Sequence, residues 1–235
     1  MGVAMSGMSF QKAGGIAALV GAATVVVGIG MFATMMSDYA TGDLDPAGSV
    51  AFLVENEASM YVWNLITLIG FSICLVPLAF ALNQRLRVGS PALAQTGTGF
   101  GLIWAGLLLA AGMVLNVGFG TVVDLHGTDA AQAESLWLAV DSVADGLSGG
   151  MEIAGPVWIL LVSVAALRAG ALPRALNYLG VVISVAGLFT IVPGLADIAI
   201  VFGLGLIVWF VWVGIVMYRD APAVAEVPDL VRDRG

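Results

Sequence analysis

Residues 198–218 read IAIVFGLGLIVWFVWVGIVMY, a stretch that contains no charged side chain. An α-helix needs about 20 predominantly apolar residues to cross a hydrocarbon core about 30 Å thick, and this stretch meets that requirement. The rest of the chain has the same character, since 60% of its 235 residues are hydrophobic and 10% are charged. Soluble domains carry about 25% charged residues. The sequence therefore predicts an integral membrane protein.

Five apolar stretches upstream of this one are also long enough to cross a bilayer. Together the six cover residues 14–36, 59–83, 96–121, 147–167, 176–195 and 198–218. We therefore predict an all-α bundle of six transmembrane helices in residues 1–219, followed by a disordered cytoplasmic tail in residues 220–235. A cleaved secretory signal is the alternative for residues 14–36, because Lys12 precedes them. That stretch is longer than the signal core of about 7–15 residues.

The charged residues are segregated along the chain, and this segregation predicts an orientation. All eight basic residues fall on one side of the predicted membrane: Lys12, Arg85, Arg87, Arg168, Arg174, Arg219, Arg232 and Arg234. The other side carries acidic residues and no basic one: Asp38, Asp43, Asp45, Glu55, Glu57, Asp124, Asp129, Glu134, Asp141 and Asp145. Loops rich in Lys and Arg stay in the cytoplasm. We therefore predict that both termini of the domain are cytoplasmic.

The two longer outer loops each carry the pattern of a short amphipathic helix. In the first loop, Asp45 followed by Pro46 is typical of a helix N-terminus. In the second, Asp129 is placed as a cap. Four apolar residues then recur at a spacing of four, three and four: Leu136, Val140, Val143 and Leu147. This second helix either rests on the outer membrane surface or continues into the fourth transmembrane helix.

Small residues mark the faces on which the helices are expected to pack. The first helix carries such residues at a spacing of three and four: Gly14, Ala17, Gly21, Thr24 and Gly28. In lipid, small residues permit the close backbone approach that holds helices together. This face packs inside one bundle or forms the seam of a homo-oligomer. In the fourth helix, Pro156 and the glycines before it predict a kinked or irregular outer half.

Glu152 is the ionisable residue that lies well inside a predicted span. Intramembrane carboxylates mark ion, proton or ligand sites because burying their charge in lipid is costly. Asn64, Asn116 and Asp197 fall near the outer ends of their helices, so with Glu152 they could line one outward-facing polar vestibule. That side has no basic residue, and the vestibule should favour cations. The alternative is that the four residues separately meet water or hydrogen-bond neighbouring helices.

Other kinds of chemistry find little support in the sequence. His126 is the only histidine, and its loop lacks the clustered donors of a metal site. No nucleophile, base and orienting acid can be assembled around it, and no basic patch predicts nucleic-acid binding. We therefore expect no cofactor and no enzymatic activity. The sequence favours a bundle in the lipid bilayer that binds a small ligand, lipid or cation. A structural subunit that stabilises a membrane protein partner, or a small transporter, is the alternative.

One cytoplasmic stretch also resembles a known group of proteins. Arg168-Ala-Gly-Ala-Leu-Pro-Arg174-Ala-Leu-Asn-Tyr-Leu-Gly180 is similar to a Leu-Pro-Arg-x-Leu loop in an uncharacterised prokaryotic family of multi-pass membrane proteins, a domain of unknown function. The first five predicted helices share the general layout of that group. The resemblance implies a multi-pass protein of the prokaryotic plasma membrane, and it implies no activity.

The predicted orientation can be tested by chemical labelling. Cysteines placed at Gly48 and at Ala131 should react with a membrane-impermeant thiol reagent added outside intact cells, because both positions lie in outer loops. A cysteine at Gly89 should react only after the cells are opened. External labelling at Gly89 would overturn the orientation.

Overall fold

A computed structural model describes residues 9–35, 44–148, 153–192, 194–195 and 198–220. These residues form eight helices and no β-strand, which confirms the predicted all-α class. The bounds are Phe10–Met35 for α1, Pro46–Glu55 for α2, Glu57–Leu86 for α3, Pro91–His126 for α4, Ala130–Ser148 for α5, Ala154–Ala169 for α6, Arg174–Phe189 for α7 and Ala199–Arg219 for α8. The predicted tail beyond residue 220 lies outside the described residues.

Four of the helices, α1, α3, α4 and α8, are long and apolar enough to cross a membrane. They indicate a membrane protein, and they coincide with four of the six predicted spans. The helices α6 and α7 are apolar but contain 16 residues each. At 1.5 Å per residue each is about 24 Å long, which is shorter than a hydrocarbon core of about 30 Å.

The predicted fourth span, residues 147–167, is divided between two helices. Ser148 ends α5 and Ala154 begins α6, with residues 149–152 outside the described part of the chain. Pro156 therefore lies in the first turn of α6 and not in a helix interior. A proline in the first turn breaks no intrahelical hydrogen bond, because the first four N–H groups of a helix have no partner within it. The kink predicted at Pro156 is replaced by a helix start.

Six helices form a ring in which each helix packs against the two helices beside it. The order around the ring is α1, α3, α4, α6, α7 and α8, and α8 closes the ring by packing against α1. The remaining two helices, α2 and α5, pack on α4 at one end of the ring. The core of the ring lies where α3, α4, α6 and α8 face one another.

Five aromatic side chains fill the centre of the ring, and we call them the central aromatic cluster: Phe71, Trp104, Trp158, Trp209 and Phe210. Their rings contact one another with centroids 5.4–6.0 Å apart. Each of these five aromatic residues is at most 3% exposed. Pairs at this separation contribute about 0.5–1.5 kcal/mol beyond the area that they bury. The cluster therefore joins four of the six ring helices.

A glycine on a neighbouring helix makes room for each of the three tryptophans. A Cβ atom added at Gly155 would lie 2.8 Å from the ring of Trp104. The tryptophans of α6 and α8 are fitted in the same way, Trp158 against Gly101 and Trp209 against Gly180. All three indole N–H groups are buried and find no acceptor among the described residues. The cluster is therefore held by shape and ring contacts.

The small-residue face of α1 is covered inside the bundle. Gly14 meets Ala81 of α3, Gly28 meets Thr67, and Gly21 packs against the rings of the central aromatic cluster. This arrangement agrees with packing inside one bundle. The sequence pattern did not identify Gly15, which forms a further contact, with the backbone of α8.

A second apolar cluster, the outer cluster, joins α2 and α5 to the ends of α3 and α4: Val50, Leu53, Met60, Leu115, Phe119, Val122, Ala133, Trp137 and Ala144. The helix starts were predicted correctly here. The Asp45 carboxylate accepts a hydrogen bond from the Gly48 N–H at 2.7 Å, and Asp129 accepts one from the Gln132 N–H at 3.0 Å. Both carboxylates act as the caps that their positions indicated.

The apolar face predicted for α5 is partly wrong. Ala133, Trp137 and Ala144 are the residues that α5 buries, whereas Val143 is 52% exposed. The reason is that α5 packs lengthwise along α4, so its buried face is determined by that helix. Small alanines allow α5 to approach α4 closely, so the buried face of α5 includes Ala133 and Ala144.

The structure also improves the inner labelling position. A Cβ atom at Gly89 would lie 2.6 Å from the Cβ of Ala169, so a cysteine there would disturb the end of α6. The neighbouring Val88 is 89% exposed and accepts a cysteine without a clash. The native Cys74 is partly accessible in α3 and should be replaced by serine before labelling.

The contact between α1 and α8 generates a stability prediction. A Cβ atom at Gly15 would lie 2.8 Å from the Gly214 carbonyl oxygen and 2.9 Å from the Tyr218 backbone nitrogen. Backbone atoms of a packed helix cannot move aside easily, so Gly15→Ala should lower the free energy of unfolding by about 1–3 kcal/mol. The measurement is thermal unfolding in detergent.

Gly30→Ala is the matched control, because Gly30 lies on the same helix and a Cβ there meets nothing within 4 Å. This variant should be unchanged or slightly more stable, since alanine favours a helix more than glycine. Equal melting temperatures for the two variants would contradict the close approach of α1 and α8.

Candidate ligand cavity

A cavity of about 530 Å³ lies between the central aromatic cluster and the outer cluster. Helices α1, α3, α4, α5 and α8 all contribute to its wall. Its volume falls in the range of about 300–1,000 Å³ that is typical of small-molecule sites. The lining is mostly apolar and includes five aromatic side chains: Phe32, Trp63, Phe71, Phe119 and Trp137. We call it the ligand cavity.

Contacts between neighbouring helices hold two of its tryptophans in place. The indole N–H of Trp63 donates to the Gly28 carbonyl oxygen at 3.2 Å, which ties α3 to α1. The ring of Trp63 also contacts Phe32, with centroids 6.2 Å apart. Elsewhere in the lining, the centroids of Trp137 and Phe119 lie 5.9 Å apart. These walls are therefore formed without a ligand.

A π-helical segment in α3 supplies part of the wall. It covers Leu65–Gly70 and contributes Thr67 and Leu68 to the cavity lining. The Thr67 hydroxyl donates to the Trp63 carbonyl oxygen at 2.7 Å. A π segment changes which residues of a helix face inward, and such segments recur at functional sites. The cavity face of α3 therefore could not be derived from a regular helical spacing.

Two carboxylates, those of Asp141 and Asp145, line the cavity on α5. They are four residues apart and follow Trp137 at the same spacing, which places all three side chains on one face of the helix. Ser148 lies further along the same wall. None of the described residues that line the cavity is Lys, Arg or His. The cavity is thus apolar and aromatic with an acidic wall.

The structure brings two of the four predicted site residues together. The Asn64 side chain is buried, and its Nδ2 donates to the Gly112 carbonyl oxygen at 2.8 Å and to Asn116 Oδ1 at 3.2 Å. These bonds join α3 to α4, and neither asparagine lines the ligand cavity. The other two predicted residues, Glu152 and Asp197, lie outside the described part of the chain, so the four-residue vestibule stays a prediction.

The acidic wall was missed because the sequence analysis placed Asp141 and Asp145 only among the acidic residues of the outer side. A signal was present, since Trp137, Asp141 and Asp145 share one face by their spacing. That face becomes informative only when the packing partner of α5 is known. For metals, the described residues contain no group of three or more His, Cys, Asp or Glu side chains arranged to hold an ion.

The paired asparagines generate a prediction. Asn64→Ala should lower the free energy of unfolding by about 1–2 kcal/mol, because it removes two interhelical hydrogen bonds, one buried and one partly buried. Asn116→Ala should cost less, about 0.5 kcal/mol, because it removes one bond at a partly buried position. The test is a double-mutant cycle from thermal unfolding in detergent. Fully additive effects would show that the Asn64–Asn116 bond contributes nothing.

Comparison with known proteins adds no relative to this picture. No protein family model, curated protein or solved structure matches the chain. The similarity of residues 168–180 to a loop in an uncharacterised membrane protein family therefore stays a prediction.

Proposed function

We propose that this chain is a non-enzymatic bundle of six transmembrane helices that binds a small organic ligand in the ligand cavity. The observation that carries the proposal is the cavity of about 530 Å³ with preformed aromatic walls. A protein that served only to stabilise a partner would gain nothing from such a space, because cavities in a packed interior cost stability. The small-residue face of α1 is also used within the chain and leaves less for a partner.

The six-span arrangement is supported by how α5 and α6 follow one another along α4. Trp137 of α5 contacts Phe119, and Gly155 of α6 meets Trp104. At the end of α6, Ala169 meets Gly89 just before α4 begins. We infer that the C-terminal part of α5 and the whole of α6 together make the fourth membrane crossing, and that α7 makes the fifth.

The orientation is supported by contacts among the basic residues. Lys12 at the start of α1 lies over the ring of Tyr218 at the end of α8, 5.9 Å from its centroid. Arg85 donates to the Ala171 carbonyl oxygen at 3.0 Å and forms an ion pair with Asp220 at 3.2 Å. These contacts gather basic side chains from α1 and α3 at one end of the ring. We infer that this end faces the cytoplasm of a prokaryotic cell and that both termini lie there.

The cavity should bind a neutral aromatic lipophile, and N-phenyl-1-naphthylamine is a suitable probe. Gly203 lines the cavity, and a Cβ there meets nothing within 4 Å. Gly203→Phe should therefore fold and fill the cavity. We expect saturable fluorescence enhancement with the unsubstituted protein in lipid nanodiscs and a loss of at least tenfold in affinity with Gly203→Phe.

Gly99→Phe is the control for added bulk. Gly99 is exposed on α4 and likewise has nothing within 4 Å, but it does not line the cavity. This variant should bind the probe as the unsubstituted protein does. Equal binding by both phenylalanine variants would show that the probe only partitions into lipid and would remove the support for a ligand site.

A further inference from the structure

We propose that the ligand cavity takes up an acyl chain of a membrane lipid through an opening that faces the hydrocarbon core of the bilayer. This inference rests on the proposed function and names its ligand class. Three features carry it. The helices around the cavity leave one side open, that side lies at the depth of the hydrocarbon core, and the enclosed walls are apolar. An acyl chain satisfies all three.

The cavity is open on the side where α5 faces α1 and α8. Helices α1 and α8 pack against one another, and α5 packs against α2 and α4. In the described part of the chain α5 makes no extended packing contact with α1 or α8, although residues of all three helices line the cavity. The cavity is therefore bordered there by helices that are not packed together, and we call this side the opening.

Side chains of α1 belong both to the cavity and to the outside of the bundle. Ile29 and Phe32 line the cavity, yet they are 49% and 37% exposed. Val26 lies one helical turn before Ile29 and is also exposed, so the apolar outer face of α1 continues into the cavity. In a membrane that outer face is covered by lipid. An acyl chain that lies along α1 can therefore enter the cavity without leaving apolar surface.

The opening lies at the depth of the hydrocarbon core. Lys12 lies over the ring of Tyr218, so the start of α1 and the end of α8 are at one level. At 1.5 Å per residue, Val25 is about 20 Å along α1 from Lys12, and Leu206 is about 18 Å along α8 from Tyr218. Both residues line the cavity, and a hydrocarbon core is about 30 Å thick. This part of the cavity is therefore level with the acyl chains of the outer leaflet, in the orientation inferred above.

The enclosed walls of the cavity offer an acyl chain apolar contacts. Four of the lining residues, from three helices, are each at most 8% exposed: Phe71, Leu108, Leu115 and Leu206. Neither Asp141 nor Asp145 is buried, so the enclosed walls present apolar groups to a ligand. An apolar space left empty loses dispersion contacts. A flexible chain restores those contacts because it adapts to the shape of the walls, whereas water finds few polar partners there.

The test is photo-crosslinking from a labelled lipid. The full chain is placed in phosphatidylcholine nanodiscs that contain a phosphatidylcholine with a diazirine in one acyl chain, and mass spectrometry locates the labelled residues. Leu115 and Val117 lie on the same helix. Leu115 is buried and lines the ligand cavity, whereas Val117 is 72% exposed and does not line it. We expect label at both residues. Label at Val117 without label at Leu115 would overturn the inference.

A filled cavity should exclude the lipid chain. Gly203→Phe should reduce the label at Leu115 at least fivefold and leave the label at Val117 unchanged. Gly99→Phe, which adds the same bulk outside the cavity, should leave both labels unchanged. Equal label at Leu115 in the two phenylalanine variants would show that the label does not arise in the cavity, and it would overturn the inference.

A narrowed opening should also hinder entry. Ile29→Trp adds bulk at the opening and should reduce the label at Leu115 at least threefold. Val26→Trp is the matched control, because Val26 lies on the same helix and is exposed to a similar extent but does not line the cavity. Thermal unfolding verifies that both variants are folded. An unchanged label at Leu115 in Ile29→Trp would overturn entry along α1.

The outcomes separate this inference from the proposed function. Saturable binding of N-phenyl-1-naphthylamine that is lost in Gly203→Phe, with no lipid label at Leu115, would leave a ligand cavity that lipid chains do not enter. This inference would then fail while the proposed function stands. If that probe binds without saturation and the lipid labels Val117 but not Leu115, the cavity is not a site and both proposals fail.

Discussion

In a bilayer an apolar side chain gains little by leaving lipid for another helix, so a helical bundle depends on how closely its members can approach. The central tryptophans of this protein set that approach. Trp104, Trp158 and Trp209 can meet at the axis of the ring only because a glycine stands opposite each of them. The glycines thus leave space for large aromatic rings and also allow helix backbones to approach closely. Four helices are fixed relative to one another by this one arrangement.

The ligand cavity begins where that arrangement ends. Phe71 belongs both to the central aromatic cluster and to the cavity lining, so the floor of the cavity is as well fixed as the core. Beyond Phe71, the centre of the helix ring is no longer filled by the central aromatic cluster. The cavity wall is completed there by α5 and by the π segment of α3. The tightly packed aromatic core on one side of the cavity and the π segment of α3 in its wall are both suited to a preformed binding space.

The length of the apolar stretches and the distribution of charged residues accounted for most of what could be predicted from the sequence. Apolar stretches identify α1, α3, α4 and α8 because a long helix in lipid needs little besides composition. The caps at Asp45 and Asp129 could be predicted because capping is local. The division between α5 and α6 and the buried face of α5 could not, since both depend on how these helices fit along α4. For the candidate site, the sequence placed Asn64 and Asn116 near the outer ends of their helices, but their direct hydrogen bond and the acidic wall both depend on how α4 packs against α3 and α5.

The closure of the ring between its first and last helices has a consequence for how the protein is made. Gly15 of α1 and Gly214 of α8 approach backbone to backbone, yet some two hundred residues of chain separate their synthesis. The face of α1 that awaits α8 must therefore stay in lipid, or against insertion machinery, while all the other helices enter the membrane. Assembly of this bundle is completed by its last helix, and a ribosome that stops before residue 199 leaves the ring open.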